Sequence, residues 1–258
     1  MPSTDNADTN LTGHREVAAR IACPVCGAFN FEQLFIKRDE TFVRCTSCTL
    51  MLINPPPDLS VTTATYDEDY SQAYIRKAPK KLKRCVGWVR RVQKKFVRKG
   101  KWLDVGCSAG FVVKAASDLG FDAYGVELEP AAVKWAGEVL NLANVRCGLL
   151  EEQDYDAASF DVISLYDVIE HVPDLNRLLA ELYRILAPGG IIEIRTPDVG
   201  HWRTPKKLSQ WKEVKPSEHL YYFNLRTIQK LFESHHFRIA YRRPMFNPAL
   251  DIYFRKSA

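Results

Sequence analysis

No run of apolar residues in this 258-residue chain approaches the ~20 that a membrane-spanning helix needs. Residues 1–20 are polar and hold no apolar stretch of the secretory kind, so they read as a disordered tail. The seven cysteines form no disulfide framework in a chain of this size, and a reduced, cytoplasmic setting is the expectation. Internal repeats are absent. Acidic residues are missing from Arg76 to Lys101, a stretch that holds thirteen Lys or Arg. Elsewhere 23 basic residues face 31 acidic ones, so the net charge of +5 is entirely local.

What is present points to a nucleoside-binding α/β domain. At 46% apolar residues the chain can bury a sizeable core, with room for one large domain and a small one. Trp102-Leu-Asp-Val-Gly-Cys-Ser-Ala-Gly110 reads as a buried strand ending in Asp104, a tight glycine turn and a helix start. Glycine lets the backbone approach a ligand closely, and the amides opening the helix point at it. A second strand, Ala123-Tyr-Gly-Val126, ends on Glu127, where a carboxylate can accept the hydroxyl protons of a ribose.

Three readings compete for the turn. A dinucleotide fold wants G-x-G-x-x-G, which Gly106-x-x-x-Gly110 does not supply. Gly106-Cys-Ser108-Ala-Gly110 also fits the G-x-S-x-G nucleophile elbow, with Asp198 and His219 as later triad candidates. That hydrolase reading lacks an oxyanion loop of the His-Gly-Gly type. The third reading rests on Leu-Asp-Val-Gly-Cys-Ser-Ala-Gly together with Ser159-Phe-Asp-Val-Ile-Ser-Leu-Tyr-Asp-Val-Ile-Glu-His-Val172 and Ala187-Pro-Gly-Gly-Ile-Ile-Glu-Ile-Arg-Thr-Pro197. In this order they resemble the motifs of class I S-adenosylmethionine (SAM) methyltransferases. Ser108 replaces the middle glycine of that family's D-x-G-x-G-x-G. The resemblance covers roughly residues 100–258. It implies a Rossmann-like sheet of seven strands with the last antiparallel, and SAM as cofactor.

Cys23-Pro-Val-Cys26 and Cys45-Thr-Ser-Cys48 form C-x2-C-x18-C-x2-C, a spacing that brings four thiolates around Zn²⁺. With four ligands and no open position, the metal is structural. About thirty-five residues cannot fold on buried surface alone, so the metal supplies the missing stability. A zinc ribbon ahead of a class I core resembles a bacterial subgroup that includes sugar C-methyltransferases and enzymes of glycan and natural-product pathways. The expected organisation is a tail at 1–20, a ribbon at 21–54, a linker and basic helix at 55–99, and a core at 100–258.

In the basic segment Leu82, Val86, Val89, Phe96 and Val97 share one helical stripe, as in an amphipathic helix packed on the sheet with Lys and Arg outside. Contact with an anionic membrane or a polyanionic glycan is the sharper alternative. Nucleic acid is the weakest, since no stacking aromatics interleave the charge. Strands are expected at 101–106, 122–126, 144–147, 161–165, 190–195, 238–243 and 249–255. Helices are expected at 80–98, 109–119, 130–140, 174–186 and 225–235. Ala187-Pro-Gly-Gly190 reads as the turn into the fifth strand.

The resemblance also implies roles. Asp104 orients the turn or reaches the methionine amino group. Gly106, Ser108 and Gly110 admit the methionine and ribose portion, and Glu127 takes the ribose hydroxyls. Leu128 and Leu150 flank the adenine, and Tyr166 and Asp167 face the transferred methyl group. Methyl transfer often needs a proton removed from the acceptor, and histidine suits that near neutral pH. His171 and His219 are the candidate bases. Glu218 is expected to orient His219, and Tyr221 or Tyr222 to contact a polar acceptor. The long loop from Asp198 to Pro216, with Trp202 and Trp211, reads as a lid or binding segment. The expected activity is SAM-dependent methyl transfer to a small-molecule or glycan acceptor, such as a nucleotide sugar, polysaccharide or natural-product intermediate. An RNA or protein methyltransferase docking through residues 76–101, or a non-catalytic SAM-binding protein, is the alternative.

Overall fold

The computed structural model describes residues 20–57 and 78–257, so the expected tail and most of the linker lie outside the described residues. The main sheet has seven strands in the order β10-β11-β8-β7-β4-β5-β6. Its strands are β4 (Lys101–Val105), β5 (Asp122–Glu127), β6 (Val145–Cys147), β7 (Phe160–Tyr166), β8 (Leu186–Pro197), β10 (Phe237–Arg242) and β11 (Ala249–Lys256). β6, β5, β4, β7 and β8 pair in parallel, and β11 runs antiparallel between β8 and β10. The order reverses between β4 and β7, which opens the crevice where α/β sheets bind ligands.

The parallel strands read as apolar runs because both faces are covered. On one face Trp102, Val162, Ile191 and Tyr253 meet α1 (Ala78–Lys95) and α2 (Phe111–Asp118). Within α1, Cys85, Val89 and Val92 are buried, and Leu82, Val86, Phe96 and Val97 pack beside them, as the apolar stripe predicts. α3 (Pro130–Leu140) joins β5 to β6. The opposite face, with Leu103, Ile163, Leu165 and Ile192, is covered by α4 (Leu175–Ile185) and α5 (Leu225–Glu233).

Two details depart from expectation. Ala187-Pro-Gly-Gly190 is not a turn before the fifth strand but a bulge inside it. Leu186 pairs with Phe160, yet Val162 pairs only with Ile191, and Gly189 takes φ 78° to let the extra residues loop out. The ribbon also draws on the core for a strand. β1 (Phe31–Lys37), β2 (Glu40–Cys45) and β3 (Met51–Ile53) are joined by β9 (Tyr221–Tyr222), with Leu52 opposite Tyr221. Cys23, Cys45, Leu50 and Leu52 belong to the same buried cluster as the main sheet, so ribbon and core share one interior.

Candidate active site

The glycine turn closes β4 with Gly106, Ser108 and Gly110 at φ 65°, 46° and 77°. A Cβ on Gly106 would stand 2.6 Å from Val168 Cγ2, and one on Gly110 2.7 Å from Leu142 Cδ1, so a side chain at either position would force its neighbour to move. Ser108 accepts the left-handed conformation, which costs about 1–2 kcal/mol for a residue with a Cβ. Its amide N–H offsets part of that by donating to Glu127 Oε2 at 2.6 Å. Glu127 Oε1 accepts the N–H groups of Leu128 at 2.8 Å and Glu129 at 3.0 Å. Glu127 thus ties the turn to the loop after β5. Three of a carboxylate's roughly four acceptor positions are filled, which leaves one ready for a ribose hydroxyl.

Asp104 is buried at the end of β4. Trp102 Nε1–H donates to Ser164 Oγ at 2.9 Å, and Ser164 donates to Asp104 Oδ1 at 2.5 Å. Burial pushes the Asp104 carboxyl up to about 8 against the Ser164 hydrogen bond, and the charges of Glu127 and Glu193 add to the rise. A buried acid influenced by other acids and by no cation suits a positively charged ligand group. Leu128 and Leu149 are 51% and 41% exposed at the ends of β5 and β6, whereas Leu150 is buried in the core. The apolar walls open to an adenine are therefore Leu128 and Leu149, and Leu150 supports them from beneath. Glycine turn, Glu127, a buried Asp104 facing no cation and two exposed leucines fit the cofactor that the sequence implies.

Tyr166 ends β7 with its hydroxyl donating to Glu193 Oε2 at 2.6 Å and its ring 4.6 Å from Trp88 of α1. It is held under α1, while Asp167 beside it is exposed at φ 58° and donates its N–H to the Arg195 carbonyl at 2.8 Å.

The two candidate histidines are brought together. Their rings lie 4.6 Å apart and perpendicular. With Glu170 they place three potential ligand atoms within 4.8 Å of one another. His171 Nδ1 meets the Glu218 carbonyl at 2.8 Å; a carbonyl only accepts, so Nδ1 carries the proton and Nε2 the lone pair. His219 is buried with Nδ1 unpartnered, and a backbone hydrogen bond to Glu213 engages the ring. Burial lowers His171 to about 4 and His219 to about 2, so both rings are neutral near pH 7. Glu170 is raised to about 8, by burial first and then by Asp167. Its Oε2 accepts from Thr196 at 3.0 Å, and its buried Oε1 has no partner. The sequence shows Glu170 only as the neighbour of His171 in a Glu-His pair that resembles magnesium-assisted quinone O-methyltransferases; the structure adds His219 to that pair.

Two expectations at this site need correcting, and the alternative triad is not formed. The Glu218 carboxylate does not orient His219. It faces Lys215 at 3.6 Å, and the residue positions His171 instead, through its backbone carbonyl. Tyr222 is not an acceptor contact. It is buried with Phe42, Met51 and Trp211, and its hydroxyl accepts the Lys215 N–H at 3.2 Å. Tyr221 is also occupied, donating to the Pro173 carbonyl at 3.0 Å. No hydrogen bond joins Ser108, Asp198 and His219 among the described residues, and Asp198 Oδ1 is spent on the Gly200 N–H at 2.8 Å, so no triad forms.

Residues 73–241 match the family model described as a methyltransferase domain. The chain belongs to this methyltransferase-domain family. It is 35% identical over 101 residues to the ubiquinone biosynthesis O-methyltransferase of Thiobacillus denitrificans, covering 37% of this chain and 44% of that protein. The enzyme of the same name from Coxiella burnetii is 31% identical over 105 residues, 38% of this chain and 44% of that one. The chain thus spans less than half the length of these curated relatives. A TehB-like SAM-dependent methyltransferase from Corynebacterium glutamicum superposes with a TM-score of 0.55 at 16% identity, covering 74% of this chain and all of that structure, a likeness of fold.

Ahead of the methyltransferase domain stands the cysteine cluster. Cys23, Cys26, Cys45 and Cys48 place their sulfurs within 4.8 Å of one another, with Cys23–Cys48 at 3.4 Å and Cys26–Cys45 at 3.5 Å. A tetrahedron with Zn–S bonds of about 2.3 Å has sulfurs about 3.8 Å apart, so small shifts admit the ion. Gly27 and Thr49 take φ 71° and 73° and turn the two knuckles. Burial raises Cys48 to about 11; it opposes the backbone amides of Cys48 and Ser47, which lower Cys45 to about 7. Zinc held here would be closed off by four ligands and structural. Lys37 Nζ donates to the Val214 carbonyl at 2.7 Å and Glu40 accepts the Ser217 N–H at 2.9 Å, so the β1–β2 hairpin grips the insertion that carries His219. That insertion divides: Trp211 is buried against the ribbon, and Trp202 is exposed.

Proposed function

We propose that the chain is a SAM-dependent methyltransferase acting on a hydroxyl of a small-molecule acceptor, with a natural-product or glycan intermediate as the acceptor class. The observation that carries this reading is the placement of Glu170, His171 and His219 just beyond β7, the strand that pairs with β4, whose glycine turn Glu127 of β5 ties in place. The O-methyltransferase names of the two relatives support oxygen as the atom methylated.

SAM supplies an electrophilic methyl group on a sulfonium centre. Asp104 and Glu127 would hold the amino and ribose ends, and Leu128 and Leu149 would offer apolar walls to the adenine. Such positioning is the largest contribution an in-line displacement requires. A neutral imidazole at position 171 or 219 takes the acceptor's proton as the new bond forms. The ribbon keeps the His219 segment seated.

Calorimetric titration of the zinc-loaded protein with S-adenosylhomocysteine tests the reading. Binding that Glu127→Ala removes is the expected result. Well-folded protein that ignores the ligand would overturn it.

A further inference from the structure

Two guanidinium groups converge on one aromatic ring at the mouth of the site. Arg84 of α1 lies 4.9 Å from the centre of the Trp88 ring, and Arg195 of β8 lies 4.5 Å from it. Trp88 in turn packs on Tyr166 at 4.6 Å, at the end of the strand that leads to Asp167 and Glu170. Cations so placed repel each other unless an anion offsets them, and among the described residues no carboxylate forms a salt bridge with both. Arg84 forms no salt bridge among the described residues. The Arg195 Nε is buried without a hydrogen-bond partner, and its nearest acid, Asp251, is 3.9 Å away. Asp251 is already held by Arg243 at 3.0 Å and approached by Arg91 at 3.7 Å. Asp167 feels Arg195, Lys215 and Arg84 without a salt bridge to any of them. Stacking on an aromatic face fixes the plane of a guanidinium and leaves its N–H edge to a ligand, and that flat fork matches carboxylate and phosphate oxygens.

We propose that the methyl acceptor carries an anionic group, a phosphate or a carboxylate, and that Arg84 and Arg195 hold it above Tyr166. This rests on the methyl-transfer reading. It also singles out one cation of the basic segment as a ligand-binding residue. Lys80, Lys83, Lys94 and Lys95 on the same helix are exposed and are not stacked on Trp88.

The test titrates full-length, zinc-loaded protein, saturated with S-adenosylhomocysteine, with inorganic pyrophosphate and separately with malonate. Binding is followed by calorimetry at low salt. At least one anion binds, and a preference between the two tells phosphate from carboxylate. Loss of a charged hydrogen bond weakens binding by about tenfold or more in Arg84→Gln and in Arg195→Gln. Lys94→Gln, an exposed change elsewhere on α1, alters it by less than about twofold. Absence of binding by both anions, or an equal loss in Lys94→Gln, would overturn the proposal. S-Adenosylhomocysteine binding is measured in every sample. If it is intact while neither anion binds, only the anionic acceptor falls; if wild-type protein does not bind it, the methyl-transfer reading falls instead.

Discussion

The backbone carbonyl of Glu170 accepts the amide N–H of Leu220 at 2.8 Å. The Leu220 carbonyl accepts the N–H of Ile53 at 3.0 Å, so one residue links the ribbon to the loop after β7. This bond sets His219 against His171. It makes the cysteine cluster a support for the proposed chemistry, although none of its ligands approaches the cofactor turn.

Removing the metal should therefore separate two properties. Structural zinc contributes on the order of 10 kcal/mol to the folding of small metal-bound units. Chelation, or Cys45→Ser, is expected to unseat β9 and free the 217–223 segment. Hydrogen exchange at the Leu220 and Tyr221 amides should accelerate, while S-adenosylhomocysteine still binds to the core turn. Unchanged protection at these two amides in metal-free protein would refute the coupling.

Replacing His219 tests the proton-transfer role. Loss of a general base costs about 10²- to 10⁴-fold in rate. His219→Gln should lower methyl transfer by that order, with binding of S-adenosylhomocysteine intact. Tyr222→Phe leaves only the Lys215 N–H short of a partner, a stability loss of about 1 kcal/mol with transfer nearly unchanged. Equal losses of rate in both variants would place His219 among the merely structural residues.

The sheet was legible in the sequence because its signals are local. Apolar runs marked the central strands, a glycine turn closed β4, and the 3.6-residue stripe marked α1. The glycine turn, Glu127 and the cysteine pairs were legible for the same reason. Which side chain of the 217–223 segment faces the site was not. Tyr221, Tyr222 and His219 are all polar-tipped, and only the pairing of β9 with β3, across nearly 170 residues of sequence, turns both tyrosines into ribbon supports. Leu149 and Leu150 are likewise identical by composition. The short helical turn Leu150–Glu152 decides that one faces outward and the other inward. The Glu170-His171 pair was legible as neighbours, but that His219 joins them was not, because nearly fifty residues separate it from the pair.

Gly106→Ala probes the cofactor turn. The left-handed backbone at φ 65° costs an alanine about 1–2 kcal/mol, and its Cβ would press on Val168. Lower stability in urea, together with weaker S-adenosylhomocysteine binding, is the expected pair of results. Wild-type affinity in the variant would show that the turn does not touch the cofactor.

Stability should fall as pH rises from about 6.5 to 8, and the direction follows from proton counts. Burial raises Asp104 and Glu170 to about 8 and Glu193 to about 7, whereas unfolded carboxyls titrate near 4. Between these values the native state holds protons that the unfolded chain has released, so raising the pH favours unfolding. Below about 6.5 the histidines act in the opposite sense. His171 and His219 stay neutral in the fold down to about 4 and 2 while an unfolded imidazole takes up a proton. The two trends oppose each other below about pH 6.5, and above it the carboxyls act alone. Each fully displaced group contributes up to about 1.4 kcal/mol per pH unit. Urea unfolding of zinc-loaded protein at pH 6.5 and 8 should show the loss, and Asp104→Asn, which cannot ionise, should show a smaller one. A wild-type stability that holds or rises over this interval would mean that these acids are already charged in the folded protein, against the upward shifts that burial gives them.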